Sequence, residues 1–103
     1  FESFDVLLTP TVSTVAPKIG EQAPDGDYDT VMENVLNYAA FTSPMNVAGA
    51  ASMSVRIQWS ADGLPIGSMF SGVRGDDGML LALAYELEGA QPWIGRLPTF
   101  KPA

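Results

Sequence analysis

A chain of 103 residues with five basic and twelve acidic side chains carries a formal net charge of −7. This excludes a nucleic-acid surface, because phosphate neutralisation needs clustered Lys and Arg. Cys and His are both absent, so thiol nucleophiles, disulfides and imidazole bases are excluded together, and a zinc site would need carboxylates alone. At 47% apolar residues the composition fits one domain or part of one, without the signature of disorder.

The basic residues Lys18, Arg56, Arg74, Arg96 and Lys101 are scattered along the chain. No apolar run approaches the roughly 20 residues of a membrane span. The first residues, Phe1-Glu-Ser-Phe-Asp5, lack both Met and the charged-then-apolar pattern of a secretory leader. They predict a chain that continues upstream. The lack of Cys is compatible with a cytoplasmic location.

The apolar run at residues 4–8 reads as a buried strand of a parallel or mixed sheet, stopped by Thr9-Pro10. Residues 9–28, rich in Pro, Gly and acidic groups, read as a long irregular segment of the kind that carries function or disorder. A helix is predicted from Asp29 or Thr30. Thr30 and Glu33 would form a capping box, and Val31, Val35 and Tyr38 share a face beside Met32, Leu36 and Ala39. It should end before Pro44, with a second short turn from Pro44 to Ala48 closed by Gly49.

Ala51, Met53, Val55, Ile57 and Trp59 alternate with Ser52, Ser54, Arg56 and Gln58, which predicts a strand with one apolar face. Asp62-Gly63 signals a turn, and a second, antiparallel strand is expected at about Leu64 to Ser71. Pro65 and Gly67 suggest that this strand is an edge or carries a bulge. Asp76 and Asp77 open a last helix with Leu80, Leu83 and Leu87 as its core stripe and Ala84 alongside. Gly89 is its expected stop. The tail from Gln91 to Ala103 should lie over the surface, pinned by Trp93 and Phe100.

These pieces, in this order, resemble the C-terminal region of an amidase signature hydrolase. Asp5-Val-Leu-Leu-Thr-Pro-Thr11 is similar to the family's strand into a substrate-side loop. Phe41-Thr-Ser-Pro-Met-Asn-Val-Ala-Gly49 is similar to its helix-to-turn element. Ser54-Val55 and Asp62-Gly-Leu-Pro-Ile-Gly67 resemble its hairpin. Asp76 to Glu88 and Gln91-Pro-Trp93 resemble its final helix and closing tail. The sequence departs from the pattern at Ala51 and Arg56, where many members carry Pro. Near Ala39 it lacks the acidic residue with which tRNA-amidating members hold glutamine. Met69-Phe70 looks like the branch that hydrolyses cyclic or linear nylon-type oligoamides.

The resemblance implies an α/β fold with a mixed sheet flanked by helices. Residues 1–103 would be the C-terminal segment of a single amidase domain: a short strand, a helix, a hairpin and a final helix. It implies a Ser nucleophile, a second Ser reached through a cis peptide and a Lys base, because a Ser hydroxyl attacks poorly until a base takes its proton. No Gly-Ser-Ser-Gly run is present. Lys18 and Lys101 read as solvated charges, so the catalytic residues are expected outside this chain, in an N-terminal part of the same enzyme. No metal or organic cofactor is implied. The substrate would be a small-molecule amide, no nucleic acid or membrane partner is implied, and a homodimer is compatible with the resemblance.

Thr42, Met45 and Asn46 are the candidate substrate-binding residues, since this element lines the acyl pocket in the resembling enzymes. Thr11 to Thr14 would form another wall. The plain alternative is that Thr42 and Asn46 cap a helix end and Met45 fills a core. Ser52 and Ser54 lack a base beside them and read as packing or backbone-bonding groups. Asp76 and Asp77 read as helix-capping acids rather than a metal pair. Arg56 reads equally as a carboxylate ligand or an exposed strand residue. A rival reading of the whole is a small acidic, non-catalytic α/β interaction domain. The two differ in surface: a segment of an enzyme exposes a large apolar patch where its partner part sits, and a self-contained domain does not.

Overall fold

Six elements follow in chain order in the computed structural model, which describes residues 1–96. They are β1 (Leu7–Pro10), α1 (Tyr28–Tyr38), α2 (Thr42–Ala48), β2 (Ala51–Trp59), β3 (Pro65–Gly72) and α3 (Asp77–Ala90). The strands form one sheet in the order β1-β3-β2, and both pairings are antiparallel. The strand expected at residues 4–8 is instead Leu7–Pro10: Thr9 and Pro10 belong to it and do not stop it, none of its residues is buried, and its partner in this chain is antiparallel.

The hairpin strand β3 is central, not an edge. Pro65 is tolerated because it is the first residue of the strand. The bulge lies on the neighbouring strand, between Val55 and Gln58 of β2, where the extra residue falls opposite Gly67.

The alternation in β2 holds from Ala51 to Val55, but beyond the bulge Trp59, expected on the apolar face, turns to the opposite side of the sheet. Val55 joins Phe70 and Leu80 in a buried cluster, with Ala51, Met53 and Ile57 packed against it. The stripe on α3 meets this face: Leu80 is buried, and Leu83, Ala84 and Leu87 pack around it. Ser52 and Ser54 lie on the opposite face with Ser71 and Met69, their register partners. Trp93 also packs against the core. Phe100 lies outside the described residues.

Several boundaries differ from expectation for local reasons. The N-cap of α1 is Asp27, whose carboxylate accepts from the Thr30 backbone N–H at 3.2 Å and from the Thr30 hydroxyl at the same distance. Thr30 thus sits in the first turn and does not cap. An Asp→Ala change at position 27 is expected to cost the helix about 1 kcal/mol. Faster amide hydrogen exchange across residues 28–38, with the sheet unchanged, would report it. The turn expected at Pro44 is a helix that begins two residues earlier, with Pro44 in its first turn, where backbone N–H groups have no intrahelical acceptor. Gly89 does not stop α3, which runs to Ala90 and closes with the Gln91 N–H on the Leu87 carbonyl at 2.8 Å.

The core is thin. Only Val55, Met69, Phe70 and Leu80 are buried apolar residues among those described. No residue of α1 is buried: Val31, Met32 and Tyr38 of its apolar stripe are half-buried, and Val35 and Leu36 are exposed. Leu8 on β1 is 59% exposed, Tyr85 on α3 77% and Val47 on α2 91%. The Cα radius of gyration is 16.1 Å, against about 13 Å for a compact domain of roughly 100 residues. No helix among the described residues is long and apolar enough to cross a membrane.

Candidate functional site

The sharp reversal between α2 and β2 builds the site. Gly49 takes the left-handed conformation (φ 64°, ψ 30°) that glycine adopts without a Cβ penalty. Its N–H donates to the Asn46 carbonyl and that of Ala50 to the Met45 carbonyl, both at 3.1 Å. The Arg74 guanidinium packs over Gly49 and donates from Nε to its carbonyl at 3.4 Å. This turn brings α2 back toward the polar face of β2.

Thr42, Met45 and Asn46 of α2 meet Ser52 and Ser54 of β2, Met69 of β3 and Thr11 around one cavity of about 350 Å³. The three residues singled out in the sequence thus share one cavity. The Thr42 hydroxyl donates to the Ala39 carbonyl at 3.1 Å, so it also ties α2 to the end of α1. Met45 is half-buried, and Asn46 is exposed.

Two hydroxyl pairs cross the floor. Thr11 Oγ1 and Ser54 Oγ lie 2.5 Å apart, and Ser52 Oγ lies 2.8 Å from the buried Ser71 Oγ. The first pair is possible because Gly67 stands between them: a Cβ there would fall 2.6 Å from Thr11 Oγ1 and 2.8 Å from Ser54 Oγ. Sequence reading missed this trio, although a glycine inside a strand is a signal of close approach. Of the loop expected as a second wall, Thr11 lines this cavity. Ser13 and Thr14 instead line neighbouring clefts with Tyr38. The Ser13 N–H donates to the Tyr38 carbonyl at 3.2 Å, and its hydroxyl donates to the Asn37 carbonyl.

The lining offers hydroxyls, a carboxamide and thioethers, and no titratable group. Such a surface can bind a neutral polar molecule and cannot activate a nucleophile. Lys18 lies elsewhere, in a turn where its backbone N–H donates to the Glu21 carboxylate at 2.9 Å. Lys101 is outside the described residues. Asp76 occupies the N-cap of α3 and Asp77 its first turn, without a side-chain cap bond. Among the described residues no cluster of acidic groups could hold a metal ion.

A family profile described as Amidase matches residues 1–81. The chain belongs to the amidase family. It is 46% identical over 93 residues to amidase AmiC of Mycobacterium tuberculosis, a match that covers 90% of this chain and 20% of that protein. The structure of 6-aminohexanoate cyclic dimer hydrolase superposes with a TM-score of 0.82 at 38% identity, over 93% of this chain and 21% of that one. A glutamyl-tRNA(Gln) amidotransferase structure from Thermotoga maritima superposes with a TM-score of 0.71 at 34% identity, over 89% of this chain and 19% of that one. The fold is thus that of a part of these enzymes. The chain spans about a fifth of the length of the curated relatives it matches.

Proposed function

We propose that residues 1–103 are the C-terminal segment of a single amidase domain, in an enzyme that hydrolyses carbon–nitrogen bonds of linear or cyclic amides. The observation that carries this reading is the uncharged cavity of Thr42, Met45 and Asn46 in a member of the amidase family. Its lining matches what the acyl side of an amide needs: thioethers for an aliphatic chain and a carboxamide for a polar group. Met45 packs the chain, the exposed Asn46 carboxamide meets the amide, and Thr42 holds the wall by its bond to Ala39.

The chemistry belongs to the N-terminal part of the enzyme. There a Ser, a second Ser on a cis peptide and a Lys would act together. The Lys takes the nucleophile's proton through the second Ser, the Ser oxygen bonds the amide carbon, and the amine leaves with a proton. Water then hydrolyses the acyl-enzyme to a carboxylic acid and free Ser. A cytoplasmic location belongs to the same reading.

A self-contained interaction domain explains neither the family match nor the apolar side chains left open on α1, α2 and α3. The purified 103-residue chain is expected to release no ammonia from hexanamide and to open no 6-aminohexanoate cyclic dimer to its linear amino acid, whereas the intact protein hydrolyses an amide of this class. Turnover by the isolated chain would contradict the proposal. An intact protein inert toward a panel of linear and cyclic amides would overturn the amidase reading.

A further inference from the structure

Two guanidinium groups converge on one indole at the far end of β2. The Cζ atoms of Arg56 and Arg96 lie 5.7 and 5.4 Å from the Trp59 ring centroid. The bulge makes this possible. Arg56 and Trp59 are three residues apart, which in a regular strand puts them on opposite faces. Between Val55 and Gln58 the register advances three residues on β2 and two on β3, and the extra residue restores a shared side. Ser54 pairs with Met69 and Trp59 with Pro65, so Trp59 faces the same side of the sheet as the α2 cavity.

The segment after α3 completes the arrangement. The Trp93 carbonyl accepts from Arg56 Nη2 and from the Arg96 backbone N–H, both at 3.1 Å. Gln91 Nε2 donates to the Ile57 carbonyl at 2.6 Å. Arg56 and Trp93 of this arrangement line a cleft of about 440 Å³ together with Ser54, Val55, Pro65 and Gly67. Ser54 also lines the α2 cavity, so the two spaces adjoin.

Among the described residues the guanidiniums meet a carbonyl and an indole face, both uncharged, and no carboxylate lines the cleft. In a chain of net charge −7 two positive groups on one indole stand out against a field that repels anions. The planar Arg fork matches a carboxylate. From this we infer that the groove running from the α2 cavity past Ser54 to Arg56, with Arg96 beside it on Trp59, takes an amide whose far end carries a carboxylate. Arg56 is the main anion ligand and Arg96 its support. This rests on the amidase reading for the substrate, while the anion site itself is independent of turnover.

The intact protein and its Arg56→Gln and Arg96→Gln variants would be titrated calorimetrically with sodium hexanoate, 1-hexanol and inorganic phosphate. Hexanoate should bind more tightly than the other two. Arg56→Gln should weaken hexanoate about tenfold or more, the loss of a charge-assisted hydrogen bond, and leave 1-hexanol unchanged. Arg96→Gln, which removes the guanidinium from the Trp59 ring, should weaken hexanoate severalfold. Unchanged hexanoate binding in both variants overturns the inference. So does an equal loss for hexanoate and 1-hexanol in Arg56→Gln, which would make Arg56 a strap for the chain after α3. Phosphate binding as tightly as hexanoate overturns it as well, because the patch would then ignore the alkyl chain. A protein that hydrolyses no amide, yet loses hexanoate binding on Arg56→Gln, keeps the anion site and loses the amidase reading.

Discussion

Leu80→Ala is expected to destabilise the α3–sheet unit by about 3 kcal/mol, within the range for buried Leu truncation. Leu80 is 3% exposed and joins Val55 and Phe70 as the only buried cluster among the described residues. The change removes three carbons from a core with few others to absorb the loss, and leaves a void facing Val55 and Phe70. The adjacent Leu81 is 59% exposed in this chain, so Leu81→Ala in the isolated segment should change stability by less than about 0.5 kcal/mol. Hydrogen exchange at the amides of β2, β3 and α3 resolves both, since this unit opens as one packed layer. Equal protection in wild type and Leu80→Ala would mean that the sheet is held from elsewhere.

Gly67→Ala is the second large effect, about 2 kcal/mol in the direction of overpacking. The cost is steric, because Gly67 is not among the glycines of positive φ. The new methyl would sit 2.6 Å from Thr11 Oγ1, 2.8 Å from Ser54 Oγ and 3.0 Å from Thr11 Cβ. It would part the hydroxyl pair and push β2 or the chain after β1 away from the central strand. A direct check is rescue. Removing both hydroxyls with Thr11→Ala and Ser54→Ala should recover much of the loss, as read from the thermal unfolding midpoint. If the triple variant is as unstable as Gly67→Ala alone, the hydroxyls are not the obstacle.

The two effects mark where the sequence was readable. The strict alternation from Ala51 to Val55 and the Leu80, Leu83, Leu87 spacing each have one physical meaning, and both elements lie as that meaning requires. Phe41 to Gly49 was readable because Gly49 ends a helix in only a few ways, and one of them folds Met45 and Asn46 over Ser52 and Ser54. The position of β3 was not readable. Pro65 and Gly67 weaken any strand, and only the register shows that Pro65 starts the strand while Gly67 faces the bulge.

The start of α1 was ambiguous for another reason. Asp27 and Thr30 both offer a capping oxygen, and the earlier one wins by accepting from the later. The apolar stripe of α1 has a helical period, but within residues 1–96 it is covered only in part: Val31, Met32 and Tyr38 are half-buried, and Val35 and Leu36 are exposed. Local pattern specifies a face and says nothing of what it meets. The convergence of Arg56 and Arg96 on Trp59 depends on a bulge that no local signal in β2 announces.

The role of the α2 cavity is tested most directly by filling it. In the intact protein, Met45→Trp would place a bulky ring in a space of about 350 Å³. The kcat/KM for hexanamide should fall about tenfold or more while that for acetamide stays within about threefold, because only the longer acyl chain needs the space. An equal change for both amides, or no change for either, would contradict a substrate-wall role for Thr42, Met45 and Asn46.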